Sequence, residues 1–283
     1  MSNQELERYV KKESFLIVLD SRNADDYCNG TAHSDIMFDI KYPIQLPKDC
    51  IYMTWVVNTF TCPVSFYQIN STNDELLIMV NGNGNSYKFR HGNYNAQTFI
   101  KEFLNTMPAG YTLTYDSVTN KFTMGFTTTF IITPCSIMPV MGMLEDLKNG
   151  VCYYNDATTL KLVMPYQCNF AGLNSFNIKC DIRTDNLDSF DNCSTSSIIA
   201  SVPVNANQDG VIFYEKRNDF EFEVKESIID LLHITIEDDR ANKIDFNNQH
   251  WNLVIQVNYI REIVKDLKTT FYDIVNFGYN NIT

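Results

Sequence analysis

The chain has 283 residues, of which 13% are aromatic, and a formal net charge of −12. This length suits one large β domain or two modest ones, so size alone selects no function. A surface this acidic repels phosphate backbones, and we therefore expect no direct contact with nucleic acid.

The beginning of the chain does not have the pattern of a secretion signal. Residues 1–12 are polar, and the apolar run in SFLIVLD that follows is short. No stretch is long and apolar enough to cross a bilayer, so we expect no membrane span and a reducing compartment. Four N-x-S/T sequons, at Asn29, Asn70, Asn192 and Asn281, are then accidents of an asparagine-rich composition.

The cysteines are scattered, without any C-x-x-C pair. We predict that they are small buried hydrophobic side chains rather than a disulfide framework. They are Cys28, Cys50, Cys62, Cys135, Cys152, Cys168, Cys180 and Cys193.

The first 70 residues read as strands and loops, apart from a possible short helix within residues 4–12. Strands are predicted at SFLIVLD, HSDIMFDI, CIYMTWVVNTF and SFYQI, where apolar residues alternate with polar ones between turn residues.

Residues 74–133 have a different character. LLIMV and YKF flank a glycine turn, and YTLTYDSVTNKFTMGF has a turn between residues 116 and 120, so two hairpins are predicted. Between them, apolar residues follow helical spacing from Ala96 to Met107, with Asn93 or Asn95 as the N-cap and Pro108 with Gly110 at the end. The sequence therefore predicts a small α+β unit inside a β chain, followed by one short helix around residues 143–148.

Strand patterns return after residue 155 and lead to a pair of long strands. TLKLVM, SFNIKCDI, SIIASVPV, VIFYEK and FEFEV are separated by polar loops, a spacing typical of a sandwich or jelly roll. Residues 228–257 alternate with period two on either side of the charged turn at residues 237–243, which predicts a long antiparallel pair with one buried face. From Ile260 onward the apolar period becomes helical, so a C-terminal amphipathic helix is expected.

No catalytic, cofactor-binding or metal-binding residue is predicted. The histidines His33, His91, His233 and His250 have no metal-ligand spacing, although His233 and His250 could oppose one another across the closing strand pair. A cysteine nucleophile has no activating signature. The acidic groups Asp185, Asp188 and Asp191 and Glu237–Asp239 do not match a calcium loop, and NGNGNS lacks a phosphate-binding lysine, so solvated loops and a tight turn are favoured.

Several segments in order resemble one protein family. They are SFLIVLDSRNA, HSDIMFDI, RHGNYNAQTFIKEFLNTM with YTLTYDSVTNKFTMGF, PVMGMLE, NIKCDI and LHITIEDDRANKIDFNNQHWNLVIQV. In content and order they resemble the penton, or minor capsid, proteins of virophages and Polinton-like viruses, of the Mavirus type in particular. The resemblance covers most of residues 14–257 and is looser beyond them.

The resemblance implies an all-β fold, a single jelly-roll β-sandwich, with a non-enzymatic role. Its halves would be residues 1–70 and 151–283, and residues 71–150 would be an inserted α+β domain that faces outward. The C-terminal helix within residues 151–283 is predicted from the apolar period alone and is not carried over from the family. Such proteins form homopentamers that close the five-fold vertices of an icosahedral virion, and they contact capsomers of the double jelly-roll major capsid protein. Assembly in the host cytoplasm and a possible host receptor for the inserted domain follow as expectations.

Two other functions stay open at this stage. A β-sandwich module that binds a receptor or carbohydrate is the main alternative, because an outward insertion suits attachment. A hydrolase would require a deep pocket that joins a cysteine to a histidine.

Overall fold

The computed structural model describes residues 6–144, 150–182, 187–188, 194–195, 197–216 and 221–266. The chain divides into two compact units: unit 1 comprises residues 1–65 and 175–283, and unit 2 comprises residues 66–174. No helix in these described ranges has the length and apolar character needed to cross a membrane.

Unit 1 is built from antiparallel strands and two short 3-10 turns, Ser21–Asn23 and Gly30–Ala32. Its strands are β1 Leu6–Asp20, β2 Asp26–Tyr27, β3 Asp35–Gln45, β4 Tyr52–Pro63, β12 Ser175–Cys180, β13 Leu187–Asp188, β14 Ser194–Thr195, β15 Ile198–Pro203, β16 Val211–Glu215, β17 Phe222–Val224, β18 Ile228–Glu237 and β19 Asn252–Asp266.

The strand order of unit 1 is that of a jelly roll. One sheet has the order β1-β19-β4-β16, with β17 also paired to β4, and the other has the order β15-β12-β18-β3-β2. Lettered B to I along the chain (β1, β3, β4, β12, β15, β16 with β17, β18, β19), the long strands read B-I-D-G and C-H-E-F. Apart from E and F, which pair within one sheet, successive lettered strands alternate between two facing sheets, and this arrangement closes most of their edges.

The core of unit 1 lies between these two sheets. Phe60 on β4 contacts Phe176 on β12, with ring centroids 5.7 Å apart, and Trp251 lies 5.8 Å from Phe60 and 6.3 Å from Phe38 on β3. The indole Nε1 of Trp251 donates to the carbonyl of His33 at 2.7 Å. Large aromatic side chains from both inner faces therefore fill the sandwich, with the Trp251 polar atom satisfied.

In its described residues, unit 2 combines two small sheets with two helices, of which the second is a single turn. Its elements are β5 Glu75–Val80, β6 Asn83–Lys88, α1 Ala96–Thr106, β7 Thr112–Asp116, β8 Lys121–Gly125, β9 Phe130–Thr133, α2 Met138–Met141, β10 Tyr153–Tyr154 and β11 Lys161–Val163. The sheets have the orders β10-β9-β5-β6 and β11-β8-β7. Phe99 of α1 lies at the centre of their shared core, with its ring 5.3 Å from Phe89 and 5.8 Å from Phe122.

The boundaries of unit 2 differ from the expected 71–150. β10 pairs with β9 and β11 pairs with β8, and the ring of Phe170 lies 5.4 Å from that of Phe99. Residues 151–174 belong to unit 2 because they complete its sheets and its core. In chain order, the insertion falls between strands D and E.

The prediction of helices at the two ends of the jelly roll was wrong where the structure describes them. Residues 6–12 belong to β1 and residues 260–266 to β19, and the two strands pair in register from Leu6↔Asp266 to Asp20↔Asn252. Each segment satisfies the backbone hydrogen bonds of the other, which outweighs a local helical period. The rest of the predicted C-terminal helix, residues 267–283, lies outside the described residues.

The long strands at residues 228–257 exist but do not pair with each other. β18 belongs to the C-H-E-F sheet and β19 to the B-I-D-G sheet. The turn between them crosses from one sheet to the other, so each strand buries its apolar side chains against the opposite sheet. Alternation predicted the buried faces correctly, but it could not distinguish a hairpin from a crossing between sheets.

Candidate functional surfaces

The outer face of the B-I-D-G sheet carries apolar side chains, which we call the outer apolar patch. Its members are Leu16, Val18, Val211, Phe213 and Val254. Val18 and Val254 are directly opposite one another on β1 and β19, and Phe213 lies on β16, on the other side of β4. Val18 is 68% and Phe213 52% exposed, whereas the neighbouring inward residues Leu19 and Ile212 are buried. Such a patch on an otherwise polar sheet face is typical of a contact surface.

A polar network closes the same sheet face at its other end. Asn258 on β19 is fully buried, and its amide nitrogen donates to Glu221 at 3.0 Å and to Thr54 on β4 at 3.2 Å. The Ser14 hydroxyl donates to the Asn258 oxygen at 2.7 Å, and Lys12 forms an ion pair with Glu221. This network links β1, β19 and β4 through side chains on the outer face of the sheet.

A second polar group lies on the outer face of the C-H-E-F sheet. Asp35 at the start of β3 is buried, and its Oδ1 lies 2.5 Å from Nε2 of His233 on β18. Lys243 donates to the other oxygen of Asp35. Burial acts to raise the pKa of Asp35, but the hydrogen bonds from Lys243 and His233 outweigh it and lower that pKa. Asp35 is therefore held as a carboxylate.

Cys28 completes this group. Its backbone N–H donates to the carbonyl of Asp35 at 2.9 Å, and its sulfur lies within 4.8 Å of ligand atoms of both Asp35 and His233. Partial desolvation, followed by the charge of Asp35, raises the pKa of the Cys28 thiol. A cysteine with a raised pKa is a poor nucleophile, and Cys28 lies exposed at the surface. The arrangement does not match the deep cysteine–histidine pocket that the hydrolase alternative requires.

No spacing in the sequence joins Cys28, Asp35 and His233. Asp35 and His233 are 198 residues apart and meet because β3 and β18 are neighbours in the sheet. One local signal pointed to His233: in the alternation of its strand, it falls among the polar positions that face away from the core. The sequence also suggested that His250 could lie opposite His233. His250 instead stacks on His33, with ring centroids 4.6 Å apart.

The remaining candidates occupy separate places. The sulfur atoms of Cys62, Cys135 and Cys180 are buried as predicted, whereas Cys50, Cys152 and Cys168 are partly exposed. Asp185 and Asp191 of the acidic group lie outside the described residues. Asn81 and Gly82 of NGNGNS form the turn between β5 and β6, where Gly82 has a φ of +79°, and the remaining four residues lie on β6.

Unit 2 contains a cleft of about 370 Å³ beside this turn. Its lining includes Asn81, Gly82 and Phe130 and the exposed ring of Tyr154. The Asn155 amide is engaged with the backbone of Phe130 and Thr128, so it serves the fold rather than a ligand.

Of the comparisons with known proteins, the one with solved structures found matches. No protein-family model matches the chain, and no curated protein matches it. Among solved structures, a mavirus penton protein has a TM-score of 0.45 at 10% identity, covering 89% of this chain and 100% of that one. The BFDV capsid protein in a 60-mer has a TM-score of 0.16 at 8% identity, covering 94% and 97%. Since both scores are below 0.5, the jelly-roll assignment rests on the strand order of unit 1.

Proposed function

We propose that the chain is a structural capsid protein that forms homopentamers and closes the five-fold vertices of an icosahedral virion. The observation that carries the proposal is the B-I-D-G and C-H-E-F strand order of a single jelly roll, a fold that viral capsid proteins use. The sequence resemblance to virophage and Polinton-like pentons supports the same role. A non-enzymatic protein located in the virion, assembled in the host cytoplasm, follows from it.

The outer apolar patch supports association between copies. A five-fold ring requires heterologous contacts, in which one surface of each copy meets a different surface of the next. Burying a large apolar side chain contributes roughly 1.5–3 kcal/mol, so Phe213 and Val18 together would add substantially to a repeated contact. The two strands that carry these residues already have partners, since β1 pairs with β19 and β16 pairs with β4. A contact between copies that uses only side chains therefore leaves the sheet hydrogen bonds unchanged.

The first test is the oligomeric state of the purified full-length protein. Light scattering should give the mass of five chains, and negative-stain images should show five-fold rings. A monomer, or rings of another number at all concentrations, would overturn the pentamer. Co-expression with the major capsid protein of the same virus should then recruit the rings to shell vertices.

Charge substitution in the outer apolar patch tests the surface itself. Val18→Asp with Phe213→Asp should shift the protein from pentamer to monomer, because each copy would bury two unpaired charges on assembly. Val118→Asp is the matched control, since Val118 lies 88% exposed in the β7–β8 turn of unit 2. Circular dichroism should be unchanged in both. A double variant that remains pentameric would place the contact elsewhere.

A receptor-binding or carbohydrate-binding module is the second candidate, and the cleft beside Tyr154 favours it. An exposed aromatic ring next to backbone turns can pack against an apolar ligand face. A monomeric protein that binds glycans on an array, with binding lost in Tyr154→Ala, would support this function over the penton.

A further inference from the structure

Three metal-ligating side chains of different chemical types converge on the outer face of the C-H-E-F sheet. Cys28 offers a sulfur, Asp35 a carboxylate oxygen and His233 an imidazole nitrogen, and these atoms all lie within 4.8 Å of one another. We propose that this cluster binds one Zn²⁺ per chain, with a water molecule as the fourth ligand. Sulfur, nitrogen and carboxylate oxygen together are the ligands that zinc takes in proteins.

The backbone holds the three ligands in place independently of any ion. Asp35 and His233 are on adjacent strands, where Asp35 is directly opposite Thr235. The hydrogen bond from the Cys28 backbone to the Asp35 carbonyl continues the pairing of β2 with β3. A zinc site would therefore need only small side-chain movements.

The surrounding groups have the arrangement of an outer shell. Lys243 binds Oδ2 of Asp35, whereas Oδ1 faces Nε2 of His233, and the ion would bind between these last two atoms. Asp181 places a carboxylate oxygen 3.9 Å from Nδ1 of His233, on the side of the ring opposite to Asp35. At 3.9 Å this oxygen is beyond hydrogen-bond distance, so Asp181, whose side chain is 83% exposed, can only favour a proton on Nδ1, the tautomer that presents Nε2 to a metal.

The site is also open on one side. Cys28 is exposed and the His233 side chain is 26% exposed, so solvent reaches the cluster and can supply the fourth ligand. Three protein ligands with an open position form a recognised zinc arrangement. On binding, the zinc–sulfur bond forms as the Cys28 S–H bond breaks and its proton leaves to solvent. His233 gives up the proton on Nε2 that faces Asp35 and takes one up on Nδ1 through solvent, so that the Nε2 lone pair is free for the ion.

The competing explanation is an ion-pair network without a metal. The role of Cys28 distinguishes the two explanations. Asp35, His233 and Lys243 can stabilise one another without a thiol, whereas the proposed zinc site would lose one of its three protein ligands without the sulfur. At zinc–nitrogen and zinc–oxygen distances of about 2.0–2.2 Å, Nε2 and Oδ1 would have to separate from 2.5 Å to about 3 Å or more. This change is within the reach of side-chain rotation at a partly exposed position.

The test is metal titration of the full-length protein after treatment with a chelator. Co²⁺ is used as a spectroscopic probe for zinc, and a thiolate-to-cobalt charge-transfer band should rise to saturation at one ion per chain. Zn²⁺ should then displace Co²⁺ and raise the melting temperature. If Co²⁺ does not bind, or if it binds to saturation without the thiolate-to-cobalt charge-transfer band, the proposal is overturned.

Two ligand variants and two matched controls complete the experiment. Cys28→Ser and His233→Gln should abolish the band and weaken zinc binding by about tenfold or more, since even outer-shell changes commonly cost this much. Cys152→Ser, at another partly exposed cysteine, and His91→Gln, in a His91–Asp74 pair without a sulfur, should bind zinc like the unchanged protein. Wild-type affinity in Cys28→Ser would refute the site. That variant changes one exposed atom, so loss of folding is not expected to obscure the result.

Discussion

At the scale of single residues, polar side chains on this protein stabilise positions where the chain leaves a strand. Asp20 ends β1 and accepts hydrogen bonds at 2.9 Å from the backbone N–H and from Nε of Arg22. The next residue, Ser21, is buried and accepts at 3.0 Å from the backbone N–H of Trp251. These contacts fix the turn that follows β1 beside the start of β19.

Asp20 gives a prediction for the pH dependence of stability. Hydrogen bonds from the Arg22 side chain, opposed by partial desolvation, lower the pKa of Asp20 to about 2. A lowered pKa contributes stability above the unfolded value, near 4, which is lost as the pH falls toward 2. Asp20→Asn should therefore cost up to about 1 kcal/mol at pH 7, the upper range for an ion pair with a partner as exposed as Arg22, and the difference should shrink between pH 4 and pH 2.

Urea unfolding at a series of pH values measures this difference. Asp230→Asn, at an exposed position on β18, is the control and should change stability little at any pH. An Asp20→Asn effect that is constant across the series would show that the charge of Asp20 contributes nothing.

At the scale of elements, helix α1 owes its boundaries to local chemistry. The Asn95 side chain accepts from the backbone of Gln97 and Thr98, and the Thr98 hydroxyl accepts from the backbone N–H of Asn95. This reciprocal capping satisfies donors that the first turn would leave free. The helix ends at Thr106, before Pro108, as the sequence predicts.

Asn95→Ala should destabilise unit 2 by about 1 kcal/mol, because two helix donors lose their acceptor. Asn105→Ala applies the same substitution to an exposed position in the last turn, where alanine is the better helix former, and should be neutral or slightly stabilising. Thermal unfolding of both variants compares them directly. Equal effects would contradict a specific capping role.

At the scale of the whole molecule, the insertion begins and ends at neighbouring points. A Cβ built on Gly172 would lie 3.1 Å from the Gln68 side chain, so the two ends of unit 2 meet within a few residues. Ile69 and Gly92 form a bridge at the same end. Unit 2 also has its own core of aromatic and aliphatic side chains, centred on Phe99, Phe103 and Phe122. It has the features of an independently stable domain.

We therefore expect a fragment of residues 66–174 to fold alone. It should show cooperative thermal unfolding and retain dispersed NMR signals, since its sheets pair only within unit 2. Phe99→Ala should abolish this transition, because such a truncation costs about 3–5 kcal/mol in a small domain. A wild-type fragment without a cooperative transition would show that unit 2 depends on the jelly roll.

The sequence by itself determined the local features of this protein. Alternation identified the strands and their buried faces, helical spacing identified α1, and asparagine and proline marked its ends. These signals are local because side-chain direction repeats every two residues in a strand and every 3.6 in a helix.

Only the tertiary structure decided what lies far apart in sequence. It separated β18 from β19 into opposite sheets, extended β1 and β19 against one another in place of terminal helices, and brought His233 to Asp35 and Cys28. Backbone hydrogen bonding is the same for every residue type, so the choice of strand partner is made by the packing of two whole sheets and is not encoded within either strand.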